Sequence, residues 1–331
     1  MERSAILGMG FYVPPKVVTN EELARLMDTS DEWIRERTGI VERHYIEGEV
    51  GVADLALPAA KKAIERAGIT KDDIDLIVFG TLSPDYEFPG SGVLLQAMLG
   101  RPGIPAIDIR QQCTGFIYGL SIADLYVRAG IARNALVVGA EVHSTGLDFT
   151  TRGRDVTVIF GDGAGAAVVG APRVADQGIL SCALHSDGSY AKELWCDKPG
   201  SRYHPRITAA DLERGDHFPA MKGRTVFKHA VTKMPAVLDE ALKSAGVALQ
   251  DLDIIVPHQA NLRISEFVQG ALKIPAEKMV NNIQRYGNTT AASIPIALCE
   301  AWEEGRVKPG ALVALVAFGA GFTWASTIIR W

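Results

Sequence analysis

The sequence predicts a layered α/β protein of two pseudo-symmetric halves. Three observations predict it: a repeated helix–strand unit, a second repeat following in the same order, and apolar strands without polar alternation. Residues 58–78 (PAAKKAIERAGITKDDIDLIV) and 235–256 (PAVLDEALKSAGVALQDLDIIV) both run from proline through an amphipathic helical pattern to Ala-Gly. A short linker, an acidic residue and an apolar run follow. Gly68 to Asp75 is seven residues, as is Gly246 to Asp253. Each glycine can take the left-handed conformation that closes a helix. The runs IDLIV and LDIIV are β-branched and unalternating, as strands buried on both faces are.

The second repeat begins at Cys113 (CTGFIYGLSIADLYVRAG, then ALVVGAE) and at Asn288 (NTTAASIPIALCEAWEEG, then ALVALVAFG). Cys113 to Gly130 and Asn288 to Gly305 both span 17 residues, which assigns Cys113 and Asn288 to matching positions at the heads of matching helices. The halves divide near Ala171-Pro172, giving residues 1–172 with Cys113 and 173–331 with His258 and Asn288. Alternating strands and helices imply a mostly parallel sheet in each half. Residues from about 190 to 223, with Pro199, Pro205 and Pro219, fit neither repeat and read as an insertion crossing the surface or capping a cleft.

Composition narrows the class. A chain of 331 residues, 47% apolar and 22% charged, is globular, with enough length for two cores. The net charge of −5 speaks against a general nucleic-acid binder. No apolar run approaches the ~20 residues of a membrane span, and MERSAILGMGFYVP reads as a first strand, not a signal peptide. Cys113, Cys182, Cys196 and Cys299 lie far apart without metal-type spacing, so neither a disulfide scaffold nor a metal site is expected. The expectation is a cytoplasmic protein with no membrane or nucleic-acid partner.

Three residues carry the candidate chemistry. Cys113 sits where IPAIDIR meets a helix, and a helix dipole lowers a thiol's pKa; the alternative is a small buried hydrophobe. His258 stands at the C-terminal end of the strand DIIVP, where open α/β sheets place ligands; the alternative is a structural histidine. Asn288 alone reads as a helix N-cap, and its symmetry with Cys113 favours a functional role. His44, His185, His204 and His217 receive no chemistry. FGDGAGAAVVG (Phe160 to Gly170) has the wrong spacing for a dinucleotide site, and a strand follows its glycines, so it reads as a tight strand–turn–strand connection. FGAGFTWAS (Phe318 to Ser326) reads likewise, with amides that either donate to an oxyanion or merely turn a corner.

These elements, Cys113, HQAN, GNT and FGAGFTW in this order, together with TSDEWIRERTGI and IFGDGAGAAVV, resemble β-ketoacyl-acyl-carrier-protein synthase III of the thiolase superfamily over nearly the whole chain. The resemblance implies the five-layer αβαβα thiolase fold, a homodimer, and a catalytic triad of Cys113, His258 and Asn288. It implies an oxyanion hole from the backbone amides of Cys113 and Ala320. Trp33, Arg37 and Arg154 would contact the adenine and phosphate end of coenzyme A, while Gly223, Phe227 and Asn261 would line the pantetheine channel. Lys228 and Arg263 would belong to a basic patch for acyl carrier protein, and Phe88 would reach across the dimer into the other subunit's acyl pocket. The implied reaction is decarboxylative condensation of an acyl-CoA primer, through acyl-Cys113, with malonyl-acyl-carrier protein. Coenzyme A thioester is substrate, and no cofactor or metal is implied.

The chain also departs from the family pattern. Gln111-Gln112 precede the nucleophile where alanine is common, Ala320 replaces a turn glycine, Arg224 stands where asparagine is frequent, and the 190–223 insertion is long. The alternatives are acyl transfer to another acceptor, or a specialised condensing enzyme of secondary metabolism. A non-catalytic acyl-CoA binder would form no covalent adduct, and a thiol redox sensor would need a resolving cysteine beside Cys113.

Overall fold

The computed structural model describes residues 3–331. The chain begins with β1 (Ala5–Tyr12), β2 (Lys16–Thr19), α1 (Asn20–Ala24), α2 (Asp31–Thr38), β3 (Glu42–Tyr45) and α3 (Val52–Arg66). It continues through β4 (Leu76–Gly80), α4 (Ser91–Met98), β5 (Ala106–Ile109), α5 (Gly115–Arg128), β6 (Asn134–Glu141), α6 (Arg154–Thr157) and β7 (Gly163–Gly170). Beyond residue 171 come β8 (Gly178–Ser186), β9 (Leu194–Trp195), α7 (Ala209–Arg214), β10 (Ala220–Met221), α8 (Gly223–Ala245) and β11 (Ile254–Pro257). Last are α9 (Leu262–Leu272), α10 (Ile283–Tyr286), α11 (Ser293–Glu303), β12 (Leu312–Gly319) and β13 (Thr323–Arg330).

Two sheets organise these elements. One has five strands in the order β1-β7-β6-β4-β5, the other four in the order β11-β12-β13-β8. Helices α5 and α11 lie between them, where Phe116, Leu120, Ile294 and Leu298 share a core with Leu76, Val78 and Val137 of one sheet and Val256, Val313 and Leu315 of the other. The outer face of the first sheet presents Ile77, Phe79, Leu136 and Val138 to α3 and α4. The second presents Ile255, Ala314, Val316 and Ile328 to α8 and α9. Five layers, αβαβα, result. The unalternating runs follow from this sandwiching, because every β4 position, Leu76 through Gly80, is buried.

Three expectations need correcting. The sheets are mixed: β4 pairs in parallel with β5 and β6, and β11 with β12, but β1–β7, β6–β7, β12–β13 and β13–β8 are antiparallel. The cause is visible at β12–β13, where the turn through Ala320 and Phe322 is far too short for a parallel crossover. The repeated prolines do not open their helices, since Pro58 lies inside α3 and Pro235 inside α8. The stops do fall at Gly68 and Gly246, with φ of 64° and 66°. Finally, the FGDGAG segment follows the short helix α6, so it joins helix to strand; FGAGFTW does turn strand into strand.

Candidate active site

Cys113 sits in a 3-10 turn, Gln112–Thr114, between β5 and α5. Gln112 holds φ at 45°, and the turn is pinned by Thr114 Oγ1, which donates to Gln111 O at 2.8 Å and meets Thr323 Oγ1 at 3.0 Å. Gly319 makes room for the thiol: a Cβ there would stand 2.8 Å from Cys113 Sγ. The backbone amides of Ala320 and of Cys113 itself are directed at the sulfur and favour its thiolate. Burial and the nearby Glu141 oppose them and prevail, pushing the thiol up to about 12. Against the dipole expectation, desolvation outweighs the local amides at Cys113.

His258 follows β11 and extends its pairing, its amide donating to Val316 O at 2.8 Å. Nδ1 lies 2.6 Å from Ser293 Oγ at the head of α11, and the Gln259 amide donates to that same oxygen at 3.4 Å. When the Ser293 hydroxyl donates to Nδ1, the ring hydrogen sits on Nε2. Nε2 is buried without a protein partner. Burial depresses the imidazole to about 3, so the ring is neutral. Gln259 acts as a staple, donating to Pro257 O and Val280 O while accepting from the Asn282 and Ile283 amides.

Asn288 is fixed through its backbone, which donates to Ile159 O at 2.8 Å and accepts from the Gly161 amide at 3.1 Å. Its Oδ1 accepts the Thr290 amide at 2.8 Å, leaving Nδ2 as the side chain's donor. The 17-residue spacing does not make Asn288 the counterpart of Cys113. Gln112 and Thr290 are the matching residues, with φ of 45° and 48°, each opening a 3-10 turn before a helix. Since α5 has 14 residues and α11 only 11, counting back from Gly130 and Gly305 slips by three. The counterpart of Cys113 is Ala291.

Cys113, His258, Asn288 and Ala320 line one cavity of about 1330 Å³. Gln112 and Arg224, two of the departures, line it as well, and so do Leu194, Trp195, Cys196, His217 and Pro219 from the insertion. Trp33, Arg37, Gly223, Phe227, Asn261 and Arg263 also line it. Two guanidiniums lie over the Trp33 ring, Arg37 at 4.4 Å and Arg154 at 4.9 Å from its centroid. Asn261 caps α9 and donates to Arg37 O, tying the two sides together. Lys228 and Phe88 lie outside the cavity; both are exposed, Phe88 by 81%. Sequence reasoning missed Ser293, Thr290, His143 and Glu141. The first two lay within the quoted GNTTAAS segment, read there only as a helix head. Among the described residues no cluster of His, Cys, Asp or Glu could hold a metal ion, and no helix is long and apolar enough to cross a membrane.

Models of 3-oxoacyl-[acyl-carrier-protein] synthase III match residues 107–188 and, for its C-terminal part, 242–331. The β-ketoacyl-[acyl-carrier-protein] synthase III of Xanthomonas campestris pv. campestris is 48% identical over 99% of this chain and 98% of its own length. That of Rhodospirillum centenum is 46% identical over 99% of each. The structure of 3-oxoacyl-[acyl-carrier-protein] synthase III from Aquifex aeolicus superposes with a TM-score of 0.91 at 42% identity, covering 99% of this chain and 100% of that one. The priming β-ketosynthase of the R1128 polyketide biosynthetic pathway gives 0.90 at 33% identity, covering 99% and 97%. The fold is thus that of the thiolase-type condensing enzymes, a class of acyltransferases. Within that class, the chain belongs to the β-ketoacyl-acyl-carrier-protein synthase III family.

Proposed function

We propose that the chain primes acyl-chain synthesis by condensing an acyl-CoA with malonyl-acyl-carrier protein, with Cys113, His258 and Asn288 as its catalytic residues. The observation that carries this reading is the convergence of these three side chains, with the Ala320 amide, in one cavity. Cys113 Sγ attacks the thioester carbonyl; a C–S bond forms, the bond to coenzyme A breaks, and the thiol proton leaves with the coenzyme A sulfur. A thiol held at about 12 is not a standing thiolate, so its proton moves to the departing coenzyme A sulfur as the new bond forms. The amides of Cys113 and Ala320 hold the oxyanion, a contribution of about 3–4 kcal/mol per donor in comparable sites. In the second half-reaction malonyl thioester loses carbon dioxide, and Nε2–H of His258 and Nδ2–H of Asn288 stabilise the enolate oxygen. The enolate carbon attacks acyl-Cys113, and the released thiolate takes up a proton.

Trp33, Arg37 and Arg154 are assigned to the nucleotide end of coenzyme A, the ring and guanidiniums offering stacking and phosphate contacts. Gly223, Phe227 and Asn261 are assigned to the pantetheine, and Lys228 with Arg263 to carrier-protein docking. Phe88 and Tyr86, exposed by 81% and 63%, support a homodimer in which this loop inserts into the other subunit's acyl pocket. Four unpaired cysteines suit a cytosolic setting. No cofactor takes part in the proposed reaction. The residues 1–172 and 173–331 are proposed to be the two halves of a duplicated unit, with 190–223 inserted.

The likeness to a polyketide priming ketosynthase favours, as a second reading, the same chemistry serving a specialised pathway. Intact-mass spectrometry with acyl-CoAs of increasing length, followed by malonyl-carrier protein, tests both. A Cys113-dependent adduct discharged into a β-ketoacyl product is expected, and the carrier protein that discharges it separates the two pathways. An adduct that malonyl thioester leaves untouched would mean transfer to another acceptor. No adduct from any CoA or carrier thioester would overturn the catalytic reading.

A further inference from the structure

We propose that His143 is a positioning residue that, through Thr290, orients the amide of Asn288 for the decarboxylating half-reaction. The inference rests on the reading of Asn288 given under Proposed function. Thr290 is a β-branched residue at φ 48°, a conformation that side chains of its type rarely adopt unless their surroundings enforce it. The surroundings are three alternate positions along β6 and its extension. Gly139 has no side chain because the Ala291 carbonyl packs against its Cα. Glu141 faces the Ala291 amide at 3.5 Å. His143 places Nε2 2.8 Å from Thr290 Oγ1.

With Thr290 held in this way, its amide points at Asn288 Oδ1, 2.8 Å away, and Nδ2 is the donor that remains. His143 is itself anchored. Its backbone amide donates to Asp162 Oδ1 at 2.7 Å, and its ring packs on Phe160 with centroids 4.5 Å apart. Phe160 is the residue paired with the Asn288 backbone. Side chain and backbone of Asn288 are therefore keyed to one rigid block. Burial keeps the imidazole neutral, so the contact with Thr290 is a single hydrogen bond whichever partner carries the hydrogen.

The test separates the two half-reactions in His143→Leu, Thr290→Val and Thr290→Ser. Cys113 acylation by acyl-CoA is followed by intact mass, and discharge by malonyl-carrier protein by carbon dioxide release. His143→Leu and Thr290→Val are expected to slow discharge tenfold or more while slowing acylation less than threefold. Thr290→Ser, which keeps the hydroxyl, should restore discharge to within threefold of the unmodified protein. Equal losses in both half-reactions, unchanged discharge, or a serine variant as impaired as the valine one would overturn the proposal. A second readout does not depend on activity. The Asn288 side-chain NH2 resonances, identified by their loss in Asn288→Asp, should move in Thr290→Val and return toward their original positions in Thr290→Ser. If the unmodified protein forms no acyl-Cys113, the condensing reading fails, whereas static NH2 resonances refute the positioning role alone.

Discussion

At the head of α5, Gln112 adopts a left-handed conformation and opens a tight turn; at the head of α11, Thr290 does the same. The backbones match, yet the two turns serve opposite purposes. The first presents a reactive atom within the turn itself, with Cys113 backed by Gly319. The second carries Ala291 at that place, and the polar groups around it hold neighbouring side chains. Thr290 holds Asn288 through its backbone amide and His143 through its hydroxyl, while Ser293 holds His258. One strained shape therefore carries the proposed nucleophile at the head of α5 and fixes hydrogen-bonding side chains at the head of α11. Each left-handed residue costs about 1–3 kcal/mol, which the surrounding packing must offset.

The comparison can be broken most directly by exchanging its reactive atom. Cys113→Ala should abolish the acyl adduct, while a cysteine placed at the matching position by Ala291→Cys should acquire none, because Ala291 is 1% exposed. An adduct on the second variant would show that the turn shape alone makes a nucleophile. Next in size, His258→Ala should lower condensation roughly 100- to 1000-fold, the usual loss of one donor to a developing oxyanion. Carbon dioxide release from malonyl thioester measures it.

The thiol itself supplies a pH test. Only thiolate is alkylated, and a thiol raised to about 12 stays protonated across the neutral range. Iodoacetamide reactivity at Cys113 should therefore climb about tenfold per pH unit from pH 7 to 10 without levelling. A plateau below pH 9 would mean that the Cys113 and Ala320 amides outweigh burial. The smallest effect separates the two strained residues. Gln112→Gly relieves a left-handed side chain and should raise stability by about 0.5–1 kcal/mol. Thr290→Gly gains the same relief but forfeits a buried hydrogen bond worth about 0.5–1.5 kcal/mol and strands His143, so a net loss is expected. Parallel urea melts of the two variants would reveal it.

Much of this architecture was legible along the chain. The buried strands IDLIV and LDIIV, the stops at Gly68 and Gly246, and the placing of Cys113 and His258 at element ends all rest on local chemistry or period. Sequence and structure part where position along the chain stands in for position in space. Asn288 was matched to Cys113 by distance from a helix end, and a helix shorter by three residues defeats that count. The helix start at Cys113 predicts a lowered thiol pKa, and burial pushes the thiol up instead. His143 passed unnoticed because its meaning comes from Thr290, 147 residues away.

The linear order of side chains thus carries the layered α/β class, the family resemblance and the proposal of Cys113, His258 and Asn288, because hydrophobic period and motif order are local properties. Protonation, donor direction and the support of Asn288 were decided by folding. Each depends on the solvent removed and on which atom of a distant segment arrives within hydrogen-bonding reach, and neither is written in any one stretch of chain.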